Sequence, residues 1–434
     1  MPIDWPAVHA EALDIFVRYL QIPSVNPPGN EAPAARFLGA LIEREGIAVE
    51  YIETALNREC VVARLPGDGS KRPLMLCNHL DVVPVEEAFW TVPAFAGLVQ
   101  DGFVYGRGAV DMKGTGVMQL ITFLLLKRQG VRLARDVVFC GVPDEEAGGL
   151  FGMKWLCDHR PDVVDVEYEL NEGAMGTPTL FGKEVKVFPI ATTEKSAGWL
   201  KLRARGRAGH GSRPHRDNAA LHLVRALAKL AEWERPITIT PPAREYLNRL
   251  IEAKVLPEDT TDEQLPQLLE HHPAILAMFT NTLNITMLQA GTKVNVIPAV
   301  AEASIDCRLL PGMDAETWRR EVERVIGDPR VEVTLGREST PAAPETPWNT
   351  ELYQTIRSVL TEAIEDAIVL PTMTVGGTDN KFLRERGVPA YGFSPMLLSP
   401  EEAQGFHGND EKLAIDNLNM GCELFYEIVR RFCS

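Results

Sequence analysis

From the N-terminus to about Glu194, short apolar stretches alternate with amphipathic helical ones; the pattern lapses there and returns from Asn349 to the end of the chain. Such alternation builds layered α/β structure, because each helix buries its apolar stripe on a sheet that the strands complete. Strands are expected at 48–52, 60–65, 74–78, 136–142 and 167–170, and helices after Asp4, over 31–45 and over 114–128. Asp4 can cap the first helix, with Pro6 at an early position where a missing N–H is harmless. The turn residues of Ile22-Pro23-Ser24-Val25-Asn26-Pro27-Pro28-Gly29 end it.

The middle of the chain has a different texture. Within residues 196–207, Leu200, Leu202 and Ala204 alternate with Lys201, Arg203 and Arg205, the period of an antiparallel strand with one wet face. Further strands are expected at 284–289, 302–310 and 330–334, with helices at 218–235 and 315–326, which together make a small α+β sandwich. Residues 241–273 read as an inserted helical segment belonging to that unit, and its His271-His272 pair reads as surface histidines. The expected organisation is one discontinuous α/β domain, residues 1–193 and 339–434, interrupted by an inserted domain at 194–338.

Composition narrows the partners. The 434 residues carry 60 acidic and 44 basic side chains, a formal net charge of −16. A surface so acidic repels phosphate backbones and anionic lipid, so neither nucleic acid nor membrane is expected as a partner. The seven cysteines are scattered, never spaced as CxxC, and several lie in apolar runs such as Val137-Val138-Phe139-Cys140, where a buried thiol is the plain reading. Met1-Pro2-Ile3-Asp4-Trp5-Pro6 has neither the basic nor the apolar stretch of a secretory leader, and no run is apolar enough to span a bilayer. The expected location is the cytoplasm.

Five places gather acids and imidazoles beside glycines or at strand ends. They are His79-Leu80-Asp81; Gly106-Arg107-Gly108-Ala109-Val110-Asp111-Met112-Lys113-Gly114; Pro143-Asp144-Glu145-Glu146-Ala147-Gly148-Gly149; Asn171-Glu172-Gly173; and Phe406-His407-Gly408-Asn409-Asp410-Glu411. Residues two apart on an extended chain point the same way, so Asp81 can hold one nitrogen of His79 and leave the other for a metal. The glycine loop before residue 114 could cradle a phosphate, yet it lacks both the Gly-Lys-Ser/Thr ending and the GxGxxG spacing. Each place alone could be surface. Were Asp81, Asp111, Glu145, Glu146 and Glu172 to share one cleft, though, five carboxylates in poor solvent would demand cations. Two divalent ions offset most of that charge, and oxygen and nitrogen donors without cysteine suit Zn²⁺ foremost, with Co²⁺ or Mn²⁺ as the other candidates.

In this order, and together with Gly209-His210-Gly211-Ser212, Asn295-Val296-Ile297-Pro298, Asp306-Cys307-Arg308 and Gly376-Gly377-Thr378-Asp379, the motifs resemble those of the M20 family of metallopeptidases and amidohydrolases over nearly the whole chain. The resemblance implies a zinc-peptidase-like catalytic domain, with a mixed sheet flanked by helices, and an inserted α+β sandwich acting as lid and dimerisation domain. It implies that Asp111 bridges two divalent metal ions, that His79 and Glu172 complete one, and that Glu146 and His407 complete the other. Asp81 would orient His79, and Glu145 would be the general base that takes a proton from the attacking water and passes it to the leaving amine. His210 would reach the active site of a partner subunit in a homodimer; its other reading is a loop histidine beside Arg213, His215 and Arg216. Asn295 would touch substrate, and Gly377 and Thr378 would line the pocket. Arg308 would either grip a substrate carboxylate or simply pair with Asp306 on its strand. The activity implied is hydrolysis of an amide bond next to a free carboxylate, in an N-acyl amino acid or, alternatively, a short peptide.

Overall fold

The computed structural model describes residues 2–336, 339 and 343–434, so the expected domain boundary after residue 338 touches residues outside that set. Eight strands form the larger sheet, in the order Val49–Ala55, Arg58–Leu65, Val137–Val142, Leu74–His79, Tyr168–Leu180, Ala390–Leu397, Lys183–Glu194, Ala367–Thr374. Leu74–His79 runs parallel to both of its neighbours, whereas Arg58–Leu65 meets Val137–Val142 antiparallel, so the sheet is mixed. Every residue of Leu74–His79 and of Val137–Val142 is buried, as strands covered on both faces must be.

Helices Trp5–Leu20, Ala32–Arg44, Lys113–Arg128, Glu351–Ala363 and Ile415–Cys433 pack over one face, around Phe16, Leu38, Phe123, Phe139, Ile356 and Phe425. Met153–His159, Pro161–Val164 and Asn380–Arg384 pack over the other, around Cys77, Cys140, Leu156, Val163 and Leu383. The sequence therefore folds as the mixed α/β layers its alternation implies. Asp4 caps the first helix, its Oδ1 accepting from the Ala7 N–H at 3.3 Å. All seven cysteines are buried and unpaired. Among the described residues, no helix is long and apolar enough to cross a membrane.

The smaller sheet runs Thr282–Ala290, Val300–Leu309, Leu200–Arg205, Val331–Leu335, with Ser196–Ala197 also paired to Val300–Leu309. Leu200, Leu202 and Ala204 are buried beneath helices Ala219–Glu232 and Ala315–Ile326. Lys201 and Arg203 stay on the wet face, each 3.2 Å from Glu302.

Two features differ from expectation. The strand expected to end at residue 170 continues to Leu180, so Glu172 sits within it. It turns back into Lys183–Glu194 through Phe181-Gly182, both at positive φ (49° and 72°), with Leu180 opposite Lys183. A two-residue hairpin of that kind is signalled by Asn-Gly or Asp-Gly, and phenylalanine in the first place hides it. Second, the helical segment assigned to the inserted unit packs elsewhere. Tyr246, Leu247 and Leu250 of Pro241–Glu252 and Leu265 of Leu265–Leu269 cluster with Val187, Leu370 and Met373 of the larger sheet. That sheet ends at Ala367–Thr374, where Val369 faces the first core while Ile368, Leu370 and Met373 need cover that this segment supplies.

Candidate metal centre

The acids and imidazoles gather at the ends of the central strands, where open α/β sheets present their crevices. Leu74–His79 ends in His79, and Tyr168–Leu180 carries Glu172. Val137–Val142 leads into a short turn at Glu145–Ala147, entered through Asp144 at φ 76° and left through Gly148 at φ 108°. The loop before Lys113–Arg128 delivers Asp111, and a loop after Pro400–Gly405 delivers His407 at φ 55°.

Asp111 is the hub. Its Oδ1 lies 2.9 Å from His79 Nε2, and its Oδ2 lies 2.9 Å from His407 Nε2. On the first side, Glu172 Oε1 is 3.5 Å from His79 Nε2; on the second, Glu146 Oε2 is 3.2 Å from His407 Nε2. The ligand atoms of His79, Asp111 and Glu146 fall within 4.8 Å of one another, and so do those of His79, Glu145 and Glu172. Glu146 Oε1 is buried with no hydrogen-bond partner, an acceptor left over for a cation. The donors are nitrogen and oxygen without thiolate, a set that fits Zn²⁺, Co²⁺ or Mn²⁺.

The charges behave as a cation-seeking cleft should. Burial, reinforced by Asp111, pushes Glu172 up to about 7. Burial and then Glu172 raise Glu145 well above the carboxylate range, and burial and then Asp111 raise Glu146. Hydrogen bonds to Asp111 and Glu146 take His407 up to about 10. Burial opposes charge on His79, but Glu172, Asp111 and Asp81 outweigh it and hold the ring well above its ordinary value. Asp111 is raised by burial yet ends lowered, because His407 and His79 both bond to it.

Asp81 works differently from the expected carboxylate–imidazole pair. The His79 Nδ1–H donates to the backbone carbonyl of Asp81 at 2.9 Å, with the carboxylate Oδ1 further off at 3.6 Å. The carboxylate instead accepts from the backbone N–H groups of Glu145 (3.2 Å) and Glu146 (3.1 Å) and from Asn26 Nδ2 (2.9 Å). One buried residue thus fixes the ring through its main chain and the Glu145–Glu146 turn through its side chain.

The remaining candidates make their hydrogen bonds elsewhere. His210 is exposed; its Nδ1 lies 2.8 Å from Ser212 Oγ and 3.2 Å from the Ser212 backbone nitrogen. The Gly211 N–H donates to the Asn295 carbonyl at 2.8 Å, so those two loops travel together. Arg308 makes two hydrogen bonds to Asp306, at 2.9 and 3.1 Å, the strand pairing that was its alternative reading. Gly377 borders open space, and buried Thr378 donates its hydroxyl to Glu194 Oε2 at 2.7 Å.

Several supporting residues escaped sequence reasoning. Asn380 Nδ2 donates to the Glu172 carbonyl at 3.0 Å and to Thr378 Oγ1 at 2.8 Å, tying the Gly376-Gly377 loop to a candidate ligand. Buried Arg384 pairs with Glu194 at 3.1 Å. Arg58 bonds to Asp144 and donates to Asn26 Oδ1 at 3.1 Å, beneath the Glu145–Glu146 turn. Asn380 adjoins the Gly376-Gly377-Thr378-Asp379 motif, but nothing local marks Arg58 or Arg384.

A mixed sheet with acids and histidines converging on one bridging carboxylate defines a metal-dependent hydrolase. The model of peptidase family M20/M25/M40 matches residues 75–431. The chain is 27% identical to aminoacylase-1 of Homo sapiens over 424 residues, covering 94% of this chain and 92% of that protein. It is 29% identical to the N-fatty-acyl-amino acid synthase/hydrolase PM20D1 of Mus musculus over 385 residues, covering 84% and 75%. Among solved structures, the M20 family metallo-carboxypeptidase Sso-CP2 from Sulfolobus solfataricus superposes with a TM-score of 0.74 at 18% identity, covering 97% of this chain and 99% of that one. The chain belongs to the M20 family and is a metal-dependent hydrolase of it.

Proposed function

We propose that this protein is a dinuclear amidohydrolase that cleaves the amide bond of an N-acyl amino acid. The observation that carries the reading is Asp111, whose two carboxylate oxygens each face a histidine at 2.9 Å, with Glu172 beside one histidine and Glu146 beside the other. His79, Asp111 and Glu172 would hold one ion, and Glu146, Asp111 and His407 the second, Zn²⁺ foremost. Bound divalent ions supply Lewis acidity toward the scissile carbonyl and acidify water. Glu145, half-buried with a raised affinity for protons, suits the general base that takes a proton from water and returns it to the leaving amine. Asp81 holds that base's backbone.

His210 is exposed, with Ser212 as its hydrogen-bond partner, which supports a role completed by a second copy of the chain. Met287 and Leu288 on the edge strand Thr282–Ala290, with Val294 and Val296 beyond it, are exposed and supply an apolar edge for that copy. Seven unpaired thiols are compatible with a reducing compartment, and we assign the protein to the cytoplasm. The match to aminoacylase-1 over most of both chains favours acyl amino acids over dipeptides as substrates.

The test is a panel of N-acyl amino acids and dipeptides given to metal-loaded protein, with free amine as the readout. Acyl amino acids turn over fastest, chelation abolishes the activity, and Zn²⁺, Co²⁺ or Mn²⁺ restores it. Faster release from dipeptides makes the protein a peptidase; full activity after metal removal overturns the metal mechanism.

A further inference from the structure

The glycine-rich loop ahead of Lys113–Arg128 has the look of an anion cradle, and in the structure it holds one that belongs to the protein itself. The carboxylate of Glu411 is fully buried inside it. Oε2 accepts from Arg107 Nη1 at 2.8 Å and from the Gly108 N–H at 2.9 Å. Oε1 accepts from the Val110 N–H at 2.7 Å and from the Asp111 N–H at 3.1 Å. Four donors saturate the lone pairs of a carboxylate, and successive backbone N–H groups turned inward form the concave nest that otherwise receives a phosphate. Gly108, at φ 89°, lets the chain reverse there. The loop's resemblance to a phosphate site is therefore physical, but its ligand is a side chain three hundred residues away.

The same two segments are joined at further points. The Gly106 N–H donates to the Glu411 carbonyl at 2.9 Å, and Arg107 Nη2 donates to the Gly408 carbonyl at 2.8 Å. Next to them, Lys412–Ala414 pairs antiparallel with Phe103–Tyr105. One end of this weld is Asp111, whose own N–H is bound by Glu411; the other is His407, four residues before Glu411 and 46% exposed at its side chain. Nothing about the exposure of His407 explains why its Nε2 sits 2.9 Å from Asp111 Oδ2. The shared Glu411 contacts do.

Resting on the two-ion reading above, we infer that Glu411 is a positioning residue that sets His407 against Asp111 and so governs the ion held by Glu146, Asp111 and His407. The experiment titrates chelated protein with Co²⁺, followed by calorimetry and by visible absorption. Wild-type protein takes up two equivalents. Glu411→Gln keeps the side chain's size but turns an amide donor against the backbone N–H groups. It keeps one equivalent at wild-type affinity, binds the other 10–100-fold more weakly, and shifts the Co²⁺ absorption, as loss of a group that orients metal ligands typically does. Its kcat falls with that affinity at saturating substrate, and the circular dichroism of the chelated protein stays that of wild type. Unchanged affinities and absorption overturn the role, and so does a loss matched equally at both ions. Should Glu411→Gln not fold, Arg107→Lys carries the test: it keeps the charge and gives up the two-pronged grip, so weakening confined to one ion supports the role and none overturns it. Wild-type protein that takes up fewer than two equivalents refutes the two-ion reading, and the role with it.

Discussion

Glu145 and Glu146 adjoin in sequence, yet their surroundings divide the work between them. Glu146 lies 3.2 Å from His407 Nε2 and keeps one oxygen without a partner, as a ligand should, while burial and Glu172 raise the proton affinity of Glu145, as a base needs. Glu145→Gln therefore retains its metal content and loses about 10²–10⁴-fold in kcat, the usual worth of a positioned proton acceptor. Metal analysis beside the kinetics checks this; loss of an ion would show that base and ligand are exchanged. Away from the cleft, Glu169 is fully buried, with the Cys77 thiol as the hydrogen-bonding group beside it. Burial, with Asp379 next, raises it from 4.5 to about 8. The folded chain thus holds a proton that the unfolded chain has released across that window. Stability from this group is full below pH 4.5 and is lost as pH rises through about 8. Glu169→Gln, which cannot ionise, should gain about 2–3 kcal/mol over wild type between pH 6 and pH 9, at ~1.4 kcal/mol for each pH unit up to about 8. Thermal melts at both pH values test it, and parallel curves for the two proteins count against it.

At the scale of elements, the centre is a set of strand ends and loops held from below by a loop at the N-terminal end of the chain. Asn26 Nδ2 donates to Asp81 Oδ2 at 2.9 Å and to Asp144 Oδ1 at 3.2 Å, bridging the residue that pins the Glu145–Glu146 turn and the residue that opens it. Arg58 adds the positive charge, bonding to Asp144 and lying 3.3 Å from Glu31. Asn26→Leu leaves two buried carboxylates short of a donor and should cost about 1–3 kcal/mol, read as a lower urea midpoint with an unchanged slope. An unchanged midpoint would mean that solvent replaces the amide. This layer also shows what was legible in the sequence. The strands leading to His79 and Glu145 announce themselves as apolar runs ended by acids, and the residues around Asp111 were readable by type and by resemblance. Asp81 meets His79 through its main-chain carbonyl, and its carboxylate goes to two backbone N–H groups and Asn26; a backbone partner is one that no side-chain pattern encodes. The roles of Arg58, Arg384 and Glu411 stayed hidden, although Glu411 stands in one of the five motifs, because their partners lie far off in sequence and only the fold brings them together. The Phe181-Gly182 hairpin stayed hidden for a local reason: phenylalanine is a poor marker for positive φ.

For the whole molecule, the question is whether one chain makes a complete site. The acidic excess of the sequence is partly drawn into the cleft, where five carboxylates meet two imidazoles, and the rest keeps like surfaces apart unless an apolar face overcomes it. Exposed apolar side chains line the edge strand Thr282–Ala290 of the smaller sheet, and His210 belongs to that half of the molecule as well. If His210 serves the site of a partner, each site draws Glu145 from one chain and His210 from the other. A His210→Ala chain paired with a Glu145→Ala chain then contains one site with both residues intact and one with neither. Free exchange makes half of all dimers mixed, and each mixed dimer has one working site of two. The mixture should thus recover about a quarter of wild-type activity, although each parent is nearly inactive. The measurement is turnover after mild denaturation and refolding of the equimolar mixture, with subunit exchange verified by differently tagged chains. Recovery near that fraction places His210 across an isologous interface. Full exchange without recovery assigns His210 to its own subunit or to no step of the reaction, and the smaller sheet would then act only as a cover.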